Sequence, residues 1–158
     1  MKQVRLPYGK EFIELEVGDD VDILVSQAGD FKAEKSQEDL VRDALANPIG
    51  TEKLSELVKG KKTITIISSD HTRPVPSAIT MPILLEEIRS TNPDAEITIL
   101  IATGFHRPTT HEELVAKYGQ EIVDNEHIVV HKSGVDEDMV ELDTLPSGGR
   151  LLLNKHAI

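Results

Sequence analysis

"AEITILIATGFHRPTT", residues 95–110, is the stretch on which the fold turns. Its first half is apolar and β-branched at almost every position, the pattern of a strand buried on both faces in a parallel sheet. The run stops at Gly104, and His106, Arg107 and Pro108 follow at once. Residues 63–76, "TITIISSDHTRPVP", repeat the design: a β-branched run ends in Asp70, His71, Arg73 and Pro74. A helical segment comes next in both cases, so two strands end in chemically similar loops.

Working outward, "PSAITMPILLEEIRS" (76–90) reads as a helix in which Pro82 either kinks the axis or lies near the true first turn. "TTHEELVAKYG" (109–119) opens with a capping box, Thr110 and Glu113 satisfying each other's backbone N–H groups. "EHIVVHKS" (126–133) supplies a third strand, with weaker strands expected at 138–143 and 150–154 around "PSGG". The acidic residues of 112–126 read as a solvated face.

Upstream, 2–7 and 11–16 alternate apolar and polar around "YGK", a β-hairpin signature. Residues 21–26 suit a short strand or strand-like connection. Two helices are expected before residue 63. Ser36 caps one carrying Leu40, Val41, Ala44 and Leu45 on one stripe, and Thr51 caps the other, which stops at Gly60. Strand–helix alternation at this spacing predicts an α/β fold, a Rossmann-like three-layer domain with a mostly parallel sheet plus the N-terminal hairpin.

Composition narrows the function. The chain has 158 residues, the size of one domain, and a formal net charge of −11. Phosphate backbones and anionic lipid surfaces select Lys and Arg, so neither nucleic acid nor membrane is an expected partner. Cysteine is absent, which removes disulfides and thiolate metal sites. No apolar stretch of transmembrane length and no signal-peptide pattern is present, so a cytoplasmic location is the expectation.

In a parallel α/β sheet, ligands bind beyond the C-terminal ends of the strands. Neighbouring strands at 63–69 and 95–103 would bring Ser68, Ser69, Asp70, His71, Thr72 and Arg73 to face Thr103, Gly104, His106 and Arg107. Such a set joins an imidazole that titrates near neutrality to guanidinium groups that grip planar anions, which suits a small phosphorylated or carboxylated molecule. Asp70 also suits a turn in which its carboxylate caps backbone N–H groups. His106, His111 and Asp70 do not have zincin spacing, so no metal site built from protein ligands alone is expected. His127 and His131 share a strand face and read as structural, and His71 is expected to face away if His106 faces the crevice.

"SSDHTRPVPS", "ATGFHRPTTHEELVAKYG" and "LPSGG", in this order, resemble the N-terminal domain of the nickel-pincer lactate racemase family, with the likeness running from "LPYGKEF" to Ile158. The resemblance implies a two-domain α/β enzyme that racemises 2-hydroxy acids by proton abstraction and reversible hydride transfer. The implied cofactor is a nickel-pincer mononucleotide, pyridinium-3,5-bisthiocarboxylic acid mononucleotide nickel. By motif, His106 matches a catalytic acid/base histidine and Arg73 an arginine near nickel and substrate. Asp70 matches a cofactor contact, with Ser69, Arg73, Thr103 and Gly104 also on the cofactor side. The family's second catalytic histidine, its cofactor-tethering lysine and its nickel-binding histidine match positions beyond residue 158. Residues 1–158 are therefore expected to be a truncated N-terminal domain, inactive alone, whose partners are a small 2-hydroxy acid and the remainder of its own polypeptide. The alternative expectation is a stand-alone α/β module that binds a small anion or nucleotide without catalysis.

Overall fold

A computed structural model describes all residues, Met1–Ile158. The chain forms two compact units, Met1–Glu34 and Lys35–Ile158.

In the first unit, β1 (Lys2–Tyr8) pairs antiparallel with β2 (Glu11–Val17), in register from Lys2 opposite Val17 to Tyr8 opposite Glu11. Gly9 takes φ +60° in the connecting turn, a conformation that glycine adopts without steric penalty. The Arg5 guanidinium lies 3.9 Å from the centre of the Phe12 ring. Residues 21–26 form no strand, so that part of the sequence expectation is corrected: they make no ladder, and Leu24 and Val25 stay exposed. A single 3-10 turn, Gln27–Asp30, follows with Ser26 as its cap.

The second unit is built on three parallel strands in the order β3 (Thr63–Ser69), β4 (Glu96–Ala102) and β5 (His127–Val130). Five helices accompany them: α1 (Gln37–Ala46), α2 (Leu54–Leu57), α3 (Ser77–Thr91), α4 (His111–Tyr118) and α5 (Gln120–Asn125). An antiparallel pair, β6 (Met139–Thr144) and β7 (Arg150–Asn154), forms a separate sheet with an irregularity between Glu141 and Asp143.

Local sequence explains most boundaries. Ser36 accepts the Asp39 N–H and starts α1. Thr110 and Glu113 form the expected capping box of α4, and Gly119, at φ +90°, ends it. Pro82 lies inside α3, in its second turn. Thr51 caps nothing: α2 begins after Lys53, where Leu54 and buried Val58 can reach the core. The acidic residues of 112–126 stay out of the core: Glu112, Glu121 and Asp124 are exposed, and the half-buried Glu126 accepts from Arg89 at 2.7 Å, while Ile122 of α5 is buried.

The core occupies one face of the parallel sheet. Register aligns Ile64 with Ile97, Ile66 with Ile99, Ile99 with Ile128 and Ile101 with Val130. Against this row pack Met81, Leu85 and Ile88 of α3, Leu114 and Tyr118 of α4, and Ile122. Each fully buried aliphatic side chain contributes about 1.5–3 kcal/mol relative to exposure. The opposite face carries no helix longer than the 3-10 turn Lys155–Ala157, where Thr65 donates to the His156 carbonyl at 2.7 Å. The third layer is thus only this short segment, and Ile67 on that face stays 62% exposed. The β-branched run of β3 predicts burial on both faces; as an edge strand it is covered on one, whereas the central β4 buries Ile97, Ile99, Leu100 and Ile101.

Candidate functional site

Ser69 pairs with Ala102 at the last rung of the β3–β4 ladder, so Asp70 and Thr103 leave the sheet at the same level. Each chain then turns. Arg73 N–H donates to Asp70 O, and His106 N–H donates to Thr103 O, with Gly104 at φ +55° inside the second turn. A hollow of about 460 Å³ opens between the turns, and its lining includes Ser69, Asp70, Arg73, Thr103, Gly104 and His106. Ser69, Asp70, Arg73, Thr103, Gly104 and His106, six of the residues expected at the crevice, thus line one hollow.

At its centre, Asp70 is only 2% exposed. Its Oδ1 accepts from the Thr72 hydroxyl at 2.7 Å and from Thr72 N–H at 3.1 Å, and its Oδ2 lies 2.6 Å from His106 Nδ1. The Thr72 hydroxyl holds the carboxyl well below the usual carboxylate range; burial opposes this, and His106 reinforces it. An ionised carboxylate only accepts, so His106 Nδ1 carries the proton. The free lone pair of the neutral ring is then on Nε2, and the His106 side chain is 45% exposed. An imidazole oriented in this way has the geometry to accept a proton at Nε2.

Arg73 makes no hydrogen bond or ion pair through its guanidinium, which leaves the fork open to an anion. Ser69 Oγ is buried without a partner on the same wall. A buried polar atom without a hydrogen bond is costly unless something else satisfies it, so this hydroxyl fits the edge of a polar ligand. Thr103 is different: its hydroxyl donates to the His131 carbonyl at 2.6 Å and is committed to the fold. Asp70, read as a cofactor contact, likewise spends both oxygens on Thr72 and His106.

Arg107 does not join the hollow. Its two terminal nitrogens donate to Glu113 at 2.8 and 2.6 Å, a bidentate fork that closes onto the start of α4. That fork, aided by the Thr110 N–H, lowers the Glu113 pKa to about 2. His71 also turns away from the hollow, with Nδ1 3.1 Å from Thr109 Oγ1. The adjacent His106 and Arg107 therefore serve separate ends, one at the site and one in the scaffold. His127 meets Thr98 and His131 meets Asn154, in keeping with structural roles. No group of three or more His, Asp or Glu side chains could hold a metal ion. Sequence reasoning missed Lys117, which donates to the Arg73 carbonyl, and Tyr118, whose hydroxyl donates to Ser68 Oγ at 2.7 Å. Their helical spacing marked only a face of α4.

Fold and geometry together define an α/β domain with a polar hollow at the C-terminal ends of two adjacent parallel strands. Residues 8–158 match the lactate racemase N-terminal domain, and the chain belongs to that family. It is 52% identical over 160 residues to the lactate racemase of Thermoanaerobacterium thermosaccharolyticum, covering 100% of this chain and 38% of that protein. It is 54% identical over 159 residues to the lactate racemase of Lactiplantibacillus plantarum, covering 99% and 38%. The lactate racemase apoprotein structure from T. thermosaccharolyticum superposes with a TM-score of 0.85 at 49% identity, over 99% of this chain and 36% of that one. A Thermotoga maritima protein at 18% identity and TM-score 0.57, over 77% of this chain and 30% of that one, shares the fold alone. The chain thus spans about 38% of the length of these curated relatives.

Proposed function

We propose that residues 1–158 are the N-terminal α/β domain of a longer 2-hydroxyacid racemase of the lactate type, supplying one wall of its active site. The observation that carries this is the Asp70–His106 pair at 2.6 Å, opening onto the same hollow as the unpaired Arg73 guanidinium. His106 Nε2 takes the hydroxyl proton of the substrate and returns it. Asp70 holds the ring in the required tautomer and offsets the positive charge that the ring acquires. Arg73 binds an anion, either the substrate carboxylate or the developing oxyanion.

The reading includes a nickel-pincer mononucleotide, which when bound supplies the site's capacity to accept and give back a hydride. The hollow suits the organic part of such a group: Ser69 Oγ lacks a partner, Arg73 is an open cation, and glycine at 104 leaves the wall low. With no metal-ligand cluster in this chain, metal and tether contacts fall to the remainder of the polypeptide. The chain alone is then inactive, and its partners are that remainder and a small 2-hydroxy acid. No helix is long and apolar enough to cross a membrane, and a cytoplasmic location accompanies the proposal.

The test is His106→Ala in the intact enzyme, with racemisation and thermal unfolding measured together. Turnover is lost while the melting temperature stays close to that of the parent. An unaltered rate would remove His106 from the chemistry.

A further inference from the structure

A second hollow, of about 370 Å³, lies on the other side of Arg73, with His71, Ser77, Ala78, Glu113 and Lys117 in its lining. Its donors are largely unspent. Ser77 is 2% exposed, yet its hydroxyl makes no hydrogen bond. Ala78 N–H, in the first turn of α3, also has no backbone acceptor, since the first N–H groups of a helix lack an intrahelical partner. No side chain caps this helix, whose N-cap position is Pro76. The Arg73 guanidinium is open, and Lys117 Nζ has only the Arg73 carbonyl, at 3.1 Å. The single carboxylate in the lining, Glu113, is already neutralised by the Arg107 fork.

A helix N-terminus concentrates backbone N–H groups and positive potential, and two cations with a buried hydroxyl complete the set that phosphate requires. We infer that this hollow, at the start of α3, is a binding site for a phosphate monoester or phosphate dianion, held by Ser77, the Ala78 N–H, Lys117 and Arg73. Burial pulls the Lys117 pKa down, while the charge of Asp70 works against this. A bound dianion removes the penalty on the ammonium. Arg73 borders both hollows, so an anion here would also fix the side chain that faces His106. The phosphate belongs either to the nucleotide of the proposed function, in which case this site rests on that reading, or to a free phosphate.

Titration calorimetry on the protein purified without cofactor tests the site, using inorganic phosphate, a pyridine mononucleotide and its dephosphorylated riboside. Ser77→Ala and Lys117→Gln each weaken binding of the phosphorylated probes about tenfold, the loss expected for a hydrogen bond to a charged group. Riboside binding, if present, is unchanged in both variants. A mononucleotide preferred over both other probes identifies a nucleotide phosphate; inorganic phosphate binding as tightly identifies a free one. His106→Gln retains phosphate affinity, which separates this inference from the racemase reading. Absence of binding by either phosphorylated probe, or parental affinity in both Ser77→Ala and Lys117→Gln, overturns it. Lys117 is on the surface of α4, so its variant stays informative even if Ser77→Ala disturbs packing.

Discussion

His106 Nδ1 lies 2.6 Å from Asp70 Oδ2, across the seam between β3 and β4 and 36 residues apart in the chain. The distance is set by the ladder below it, because Ser69 and Ala102 end the two strands on one rung. Asp70→Asn keeps the shape and removes the charge. In nitrogen-15 spectra of the protein, the neutral His106 ring then shifts away from the Nδ1-protonated tautomer, and turnover of the intact enzyme falls about a hundredfold. An unchanged tautomer signal would show that Asp70 does not hold the ring.

Acid stability follows from two depressed carboxyls. Glu113 has a folded-state pKa of about 2 against a reference of 4.5, so its contribution is complete above pH 4.5 and is lost as pH falls towards 2. Asp70 is shifted in the same direction. Glu113→Gln is therefore less stable than the parent at pH 6, and its stability falls less steeply between pH 4.5 and 2. Urea midpoints across that window measure the difference; parallel curves would contradict it.

The sheet is covered unequally, and two isoleucines one rung apart report it. Ile99, 0% exposed in the middle of β4, loses about 2–5 kcal/mol on substitution by Ala. Ile67→Ala, on the open face of β3, changes stability by no more than about 0.5 kcal/mol. Equal losses in chemical denaturation would mean that the second face is packed.

The two arginines divide the labour. Arg107→Ala breaks an exposed fork to Glu113, lowers stability by about 1 kcal/mol or less and leaves turnover of the intact enzyme nearly intact. Arg73→Ala leaves stability unchanged, because its guanidinium has no protein partner, and lowers turnover a hundredfold or more. The reverse pattern of melting temperatures and rates would exchange their assignments.

Much of this architecture was legible in local pattern. The β-branched runs at 63–69 and 96–102 became parallel strands. Ser36 and Thr110 cap the helices expected of them, since a cap depends on residues within one turn. The motifs at 68–73 and 103–107 marked the two turns that border the hollow. Other features depended on distant partners. Residues 21–26 alternate well enough for a strand but find no neighbour to pair with. The α2 cap position lies at Lys53 rather than Thr51, because Leu54 and Val58 meet the core.

The chain's own order of residues determined its α/β class, its family and the two loops that carry its chemistry, because periodicity, caps and motifs are properties of neighbouring residues. Only the folded molecule decided that His106 turns to Asp70 while Arg107 turns to Glu113, and that Arg73 keeps its guanidinium open. Those choices depend on strand register and on which charges meet across 6 or 36 residues of chain, and no local pattern encodes them.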